Sequence, residues 1–256
     1  MNYPELFERI VTEIRIAVSL STIWPVGPTH QLDDGEVARA SWALPVAGLA
    51  VGLAGAIVYA IARRIGLPTD PSAVLALVAT ILVTGAIHED GLADTADGIG
   101  GGNGREQRLE IMRDSRIGTY GACALALSIL LRWSAVATIA EPASVASALL
   151  VSHAAARAQL PVFMWLVPPA RADGLSAGAG QAPSRSALIA AGLGFLCLVF
   201  GLGLGKAILG LILLSFVGLG WAWLVTRQVG GQTGDILGAL EQFGEIAILL
   251  IAVAAF

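Results

Sequence analysis

Seven long, mostly apolar stretches recur along this chain. They lie at residues 41–62, 73–88, 117–140, 145–167, 186–205, 207–225 and 236–256. A helix needs about 20 such residues to cross a bilayer, with a working range of about 17–25. Six stretches are read as spans. The seventh carries Glu241 and Glu245 in its first turns, so its crossing is conditional. The second is short unless its helix continues past His88. Composition agrees: 56% of the 256 residues are hydrophobic and 13% charged, against about 25% charged in soluble domains. So little polar surface cannot coat a globule in water, and so much apolar content excludes disorder. The expected fold is all-α: one integral membrane domain over 1–256, a polytopic transmembrane helical bundle of about six to seven spans.

Other classes fall away on simple counts. The two cysteines, Cys123 and Cys197, sit inside apolar runs and make no disulfide framework. A net charge of −4 without a basic tract argues against a nucleic-acid partner. The first 40 residues do not read as a secretory signal, because Glu5, Glu8, Arg9, Glu13 and Arg15 interrupt the apolar residues. Leu6, Ile10, Ile14 and Val18 instead form one stripe at helical spacing. An N-terminal amphipathic helix is expected, lying on the membrane face in preference to capping the bundle.

Orientation follows from Lys and Arg in the short connections. If the N-terminus is cytoplasmic and all seven stretches cross, Arg9, Arg15, Arg39, Arg105, Arg108, Arg113, Arg116, Arg171, Arg185 and Arg227 fall inside. Only Arg63, Arg64 and Lys206 fall outside. Segments 88–117, 168–185 and 226–235 then share the cytoplasmic side. They hold most of the polar chemistry, so one cytoplasmic site can be built from them.

The richest of these reads His88-Glu89-Asp90-Gly91-Leu92-Ala93-Asp94-Thr95-Ala96-Asp97-Gly98. Asp90, Asp94 and Asp97 are spaced four and three apart, within about 60° on a helix, while Glu89 points about 100° away. The second span is therefore expected to run on past the membrane and present three carboxylates on one face. At about 6 Å and an effective dielectric near 20, each carboxylate pair costs on the order of 3 kcal/mol. A proton or a bound cation relieves that repulsion, and an all-oxygen set favours Mg²⁺ or Mn²⁺ over zinc. The plainer reading is a solvated acidic loop. Gly98, Gly100, Gly101, Gly102 and Gly104 are expected to end the helix in a mobile loop. Arg113, Ser115 and Arg116 follow and suit phosphate oxygens, with Asp114 as a further ligand or base. Ordinary Arg–Asp surface pairing is the alternative there.

Three motifs carry a family resemblance. They are the His88–Gly98 block, the run from Arg108 to Gly121 containing Leu109-Glu110-Ile111-Met112-Arg113-Asp114-Ser115, and Gly230-Gly231-Gln232-Thr233-Gly234-Asp235. In this order the chain resembles the cobalamin synthase family, also called adenosylcobinamide-GDP ribazoletransferase or cobalamin-5′-phosphate synthase. Arg39 before Pro45-Val46-Ala47-Gly48, and Glu245 after Asp235, are weaker echoes. Two departures are Glu89, where that family usually has an apolar residue, and Ala156 before Arg157, where it usually has Ser.

The resemblance implies a Mg²⁺-dependent inner-membrane enzyme of late vitamin B12 assembly. It would join adenosylcobinamide-GDP to α-ribazole or its 5′-phosphate and release GMP. Such phosphotransfer is mostly positioning and charge neutralisation. Asp90, Asp94 and Asp97 would hold one or two ions; Arg113, Arg116 and Arg39 would take phosphate oxygens. His88, Asp97 and Asp114 remain the candidates for general base. Thr233 and Asp235 read as a substrate loop, with Asp235 also a candidate N-cap for the last helix.

Intramembrane charge needs partners. Arg157 is either a phosphate contact or paired with Glu245 or Asp235, with His153 one turn before it. Glu241 and Glu245, four apart, either add ligands or pair with Arg157. Arg132 is expected to snorkel or to pair inside. The run Gly201 to Lys206 lacks the strand and the Ser or Thr of a phosphate loop and reads as helix packing. Gly-rich spans also permit a homo-oligomer or a complex with other corrinoid-pathway enzymes. Two other functions compete: a CDP-alcohol-type phosphotransferase with a lipid acceptor, and an ion-coupled transporter. The latter expects acids in mid-span, whereas Asp90, Asp94 and Asp97 cluster at a span end.

Overall fold

The structure is a computed structural model that describes residues 3–28, 35–171 and 178–255. Parts of the N-terminal segment and of the 168–185 connection lie outside the described residues. The described elements are helical: α1 (Tyr3–Ser21), α2 (Glu36–Ala40), a 3₁₀ turn (Ser41–Ala43), α3 (Leu44–Arg64), α4 (Thr69–Thr84), α5 (Ile87–Gly101), α6 (Arg105–Ile111), α7 (Thr119–Ile139), α8 (Pro142–Leu166), α9 (Ser184–Leu202), α10 (Leu204–Gln228) and α11 (Gly234–Ala255). The all-α bundle expected from the sequence is what forms.

Five stretches are long and apolar enough to cross a membrane: Glu36–Arg64, Thr119–Ile139, Ser184–Leu202, Leu204–Gln228 and Gly234–Val253. The last expected span therefore qualifies despite Glu241 and Glu245, both of which are buried inside the bundle. Helix α8 falls short on composition yet runs for 25 residues, about 37 Å at 1.5 Å per residue. It packs against α3, α9 and α11, and its side chains from Ala154 to Ala158 are all buried. Sheathed by protein, it meets no lipid along that face and can carry His153 and Arg157.

The second span departs from expectation. It does not run on through His88, because α4 and α5 meet at 87°. Gly85 (φ 63) and Ala86 (φ 58) both take the left-handed conformation, and their N–H groups close the last turn of α4 onto Leu82 and Ile81 carbonyls. At Ala86 that conformation costs about 1 kcal/mol. The break frees the direction of α5 from that of α4.

Small residues bring the central helices together. A side-chain carbon at Gly48 would come within 2.3 Å of the His153 carbonyl oxygen, and one at Gly52 within 2.5 Å of that of Leu149. The α3–α8 contact thus needs bare backbone on one side. Gly201 does the same against Val151, so the phosphate-loop lookalike is a packing site. Large apolar side chains such as Leu53, Ile57, Phe200, Phe216 and Leu219 point outward, as a lipid-facing surface requires.

The connections sort to two ends. At one, Arg105 reaches the Val229 and Ala170 carbonyls, and the Ser186 hydroxyl donates to the Arg39 carbonyl. At the other, the Tyr59 hydroxyl donates to the Ala140 carbonyl. Arg63, which dissents from the charge bias, donates to the Leu67 carbonyl 2.7 Å away and closes the end of α3. Helix α1 packs on α3 through its second half, where Ile16 and Ala17 are buried. Its first half leaves Leu6, Phe7, Ile10 and Val11 exposed.

Overpacking at the α3–α8 contact is the expected weak point. Gly52→Leu should lower stability by about 1–3 kcal/mol or abolish folding, read as the melting temperature and monodisperse yield in detergent. Gly205→Ala, whose added carbon would meet nothing within 4 Å, should match the wild type.

Candidate functional site

The polar residues of α5 divide at its first turn. His88 and Glu89 turn into the bundle and are buried; Asp90 is exposed and Asp94 half-buried. This split follows from the 100° step between neighbours on a helix. Two close packings hold α5 against α11. A carbon added at Gly91 would lie 2.8 Å from the Asp235 carbonyl oxygen, and one at Gly238 3.3 Å from His88 Cα.

Asp90, Asp94 and Asp235 form the open acidic set. The charges of Asp90, Asp235 and Asp97 all reach Asp94. Arg171 sits 3.7 Å from Asp235, a neighbour that sequence reading missed because it lies sixty-odd residues away across a connection. The Thr233 hydroxyl donates to Asp235 (3.2 Å) and accepts from the Ile236 N–H (3.3 Å). The N-cap of α11 is therefore Thr233, not Asp235. Its hydroxyl sits three residues before the N–H it satisfies, which is the usual capping reach. Asp235 is left to face α5.

Asp97 does not share the open face. It is buried, and its two oxygens accept the Gly118 and Gly121 N–H groups at 2.7 and 2.9 Å. It caps α7 and ties the loop after α6 to the end of α5. The glycines that follow do not make a mobile loop. Helix α5 runs on through Gly101, and α6 and α7 settle against it: an added carbon at Gly98 would lie 2.6 Å from Met112 Cγ, and one at Gly100 2.6 Å from the Tyr120 ring. Arg105 and Arg108 fasten this corner by donating to the carbonyls of Val229, Ala170 and Gln228. Between Pro169 and Gln232 runs a short parallel bridge.

The Arg-rich loop lies exposed beyond this corner. Arg113, Ser115 and Arg116 face solvent. Arg116 grips Asp114 in a fork, with Nε 3.0 Å from Oδ1, and this holds the Asp114 carboxyl below the usual carboxylate range. A carboxyl so held is a poorer base. Arg39 is exposed on α2, beside Glu36 and the polar face of α1.

Arg157 and Glu245 are placed elsewhere, inside the bundle. Arg157 bonds Glu241 and approaches His153 Nδ1 at 3.1 Å and His88 Nδ1 at 3.4 Å. Arg132, an interior pair as anticipated, donates to Glu89 at 2.9 Å and to Glu245 at 3.4 Å. Gln242 links Glu89 (3.5 Å) and Glu241 (3.1 Å) and accepts from Ser128. Arg132 and Arg157 are each 1% exposed and Glu241 and Glu245 are each 0%. Arg157 thus pairs with Glu241 rather than with Glu245 or Asp235. The reason is register: Glu241 lies level with Arg157, while Glu245, one turn on, lies level with His153 of α8 at 3.6 Å and meets Arg132 of α7.

Among the described residues, the group of donors lying within 4.8 Å of one another is His153, Glu241 and Glu245. Both acids are already matched by arginines, so this is the centre of an ion-pair network. His88 belongs to its edge. Its Nδ1 lies between Arg157 at 3.4 Å and the Glu241 carboxylate at 4.0 Å.

The open set has the chemistry a hard cation takes, all carboxylate oxygen, although among the described residues only the buried His153, Glu241 and Glu245 bring their donor atoms within 4.8 Å of one another. Mg²⁺ binds one or two carboxylates and completes its shell with water and substrate phosphate. It needs no closed protein cage, and Asp90, Asp94 and Asp235 offer oxygen donors at a surface. The capping role of Asp97 yields a test. Asp97→Asn should lower stability by about 0.5–2 kcal/mol, because one buried N–H loses its acceptor. Asp90→Asn should leave the melting temperature unchanged or slightly raised.

Comparison with known proteins bears on this geometry. The family described as Cobalamin-5-phosphate synthase matches residues 13–253. A protein of Bradyrhizobium diazoefficiens named adenosylcobinamide-GDP ribazoletransferase is 62% identical over 98% of this chain and 96% of its own length. Proteins of the same name from Mesorhizobium japonicum and Azorhizobium caulinodans are 55% and 44% identical, over 100% and 94% of this chain and 99% and 95% of their own lengths. No solved structure matches the chain.

Proposed function

The chain belongs to the cobalamin-5-phosphate synthase family, and from that premise we propose how its residues carry the reaction. It is a transferase of cobalamin biosynthesis that acts as an adenosylcobinamide-GDP ribazoletransferase, as its relatives are named. The ribose hydroxyl of α-ribazole, or of its 5′-phosphate, attacks the phosphorus that bears the cobinamide; the bond to the departing GMP breaks.

The single observation that carries the site is the split of α5, with Asp90 and Asp94 open and joined by Asp235 from α11. These three would hold Mg²⁺, or Mn²⁺ in its place. Asp97 supports them from behind as a cap on α7. When bound, the ion neutralises charge on the pyrophosphate and on the oxygens entering and leaving phosphorus. Arg113, Arg116 and Ser115 close over non-bridging phosphate oxygens, with Arg116 exchanging Asp114 for the substrate. Arg39 and Arg171 extend the cationic rim at the same end. Thr233 keeps Asp235 turned to α5. The site faces the cytoplasm from the inner membrane, as the one-sided arginines favour. The same rim leaves the lipid-facing helices free for an oligomer or a complex with other corrinoid-pathway enzymes.

Turnover of adenosylcobinamide-GDP with α-ribazole 5′-phosphate tests this, following corrinoid product and GMP in detergent or liposomes with Mg²⁺ or EDTA. Product should require the metal. Asp94→Asn and Asp90→Asn should each lower kcat by about a hundred-fold or more, the scale of losing one preorganised electrostatic contact. Wild-type turnover in Asp94→Asn would remove that residue from the site. A Mg²⁺-replete, folded enzyme that makes no product would favour a lipid-alcohol acceptor.

A further inference from the structure

Neighbouring residues of α5 face two environments, and this gives the buried network a task in the reaction. Glu89 and Asp90 are adjacent, yet Glu89 is buried at 7% exposure and Asp90 is open. The direction of α5 is not inherited from α4, since two left-handed residues and an 87° turn separate them. Something else must fix how α5 is rotated about its own axis. At its far end Asp97 does so by capping α7. At its near end the polar bonds into the bundle come from the first turn: Glu89 to Arg132 at 2.9 Å, Glu89 to Gln242 at 3.5 Å, and His88 to Arg157 at 3.4 Å.

Arg132 is the strongest of these holds. It is 1% exposed and bridges Glu89 of α5 to Glu245 of α11. A buried guanidinium left with one carboxylate too few is costly, so the bridge resists any rotation of α5. A rotation of α5 by one residue's step, about 100°, would carry Asp90 away from Asp235 and pull Glu89 out of reach. The two ends of α5 are therefore pinned, and the acidic face between them has one orientation.

We propose that Glu89 and Arg132 are positioning residues for the phosphotransfer: their buried ion pair sets the orientation of α5 and so presents Asp90 and Asp94 to the metal. This rests on the reading of Asp90 and Asp94 as metal ligands. Among the described residues, the hydrogen-bond partners of Glu89 and Arg132 lie inside the bundle, so the pair acts on the open face through the helix.

The test compares Glu89→Gln, Arg132→Gln, Arg132→Lys, Glu245→Gln and Asp90→Asn in the full-length protein in detergent. Each is read by Mn²⁺ binding in electron paramagnetic resonance, by the Mn²⁺ concentration for half-maximal turnover, and by melting temperature. Glu89→Gln and Arg132→Gln should weaken Mn²⁺ binding by about ten-fold or more, as loss of a group that orients a ligand does. The kcat at saturating Mn²⁺ should return to within a few-fold of wild type. Arg132→Lys keeps the charge and should recover most of the affinity, which covers the case in which Arg132→Gln does not fold. Glu245→Gln leaves the Glu89–Arg132 bond in place and should bind Mn²⁺ as wild type does, even with a lower melting temperature. Unchanged Mn²⁺ binding in Glu89→Gln, with Asp90→Asn impaired, overturns the positioning role and keeps the metal site. Unchanged binding in Asp90→Asn overturns the metal site and this inference with it.

Discussion

A cluster of two arginines, three glutamates and two histidines, closed off inside a bundle of apolar helices, is the constraint on which the rest of this structure depends. Charges in such surroundings cost several kcal/mol each unless they are paired and hydrogen-bonded. Arg132 and Arg157 find carboxylates from α5 and α11, and Gln242 bonds two of the acids. The pairs join α5, α7, α8 and α11 at a common point. Apolar packing can slide by a turn at small cost; an ion pair of this kind cannot. The network therefore sets the register of four helices against one another.

Close backbone contact makes the network reachable. Gly48 and Gly52 let α3 sit on the carbonyls of α8, and Gly91 and Gly238 let α5 sit on α11. Bringing α8 into the centre also removes it from lipid. That explains why a helix with His153, Arg157 and Gln159 stands among more apolar ones. The same economy of size recurs at the open end, where Gly98, Gly100 and Gly102 admit Met112, Tyr120 and Arg108. The glycines there tighten a corner that carries the loop of Arg113 and Arg116.

The chemistry is thereby divided between two faces of one short helix. Inward, His88 and Glu89 serve the fold. Outward, Asp90 and Asp94 meet Asp235 and the cationic rim. Asp97 stands between, a carboxylate spent on the N–H groups that begin α7. A glutamate is tolerated on the inward face because Arg132 lies 2.9 Å away.

Much of this was legible in the residues themselves. Apolar runs of membrane length fixed the helical class, because a backbone in lipid must satisfy its own hydrogen bonds. The four-and-three spacing of Asp90, Asp94 and Asp97 marked a polar face, and Glu241 with Glu245 announced a need for partners inside. Pattern could not choose those partners. Whether Arg157 meets Glu241 or Glu245 depends on the register of α8 against α11, two helices whose relative placement no local pattern specifies. Nor could it foresee the turn at Gly85 and Ala86, since an alanine rarely adopts the left-handed conformation and nothing local asks for it. Periodicity placed Asp97 with Asp90, but tertiary contact with Gly118 and Gly121 claimed it for a cap. Sequence alone determined which residues are charged, which are apolar and how they repeat, for those are properties of the chain. The tertiary structure decided which charges meet, because pairing is a matter of distance between helices, and that distance is set by packing.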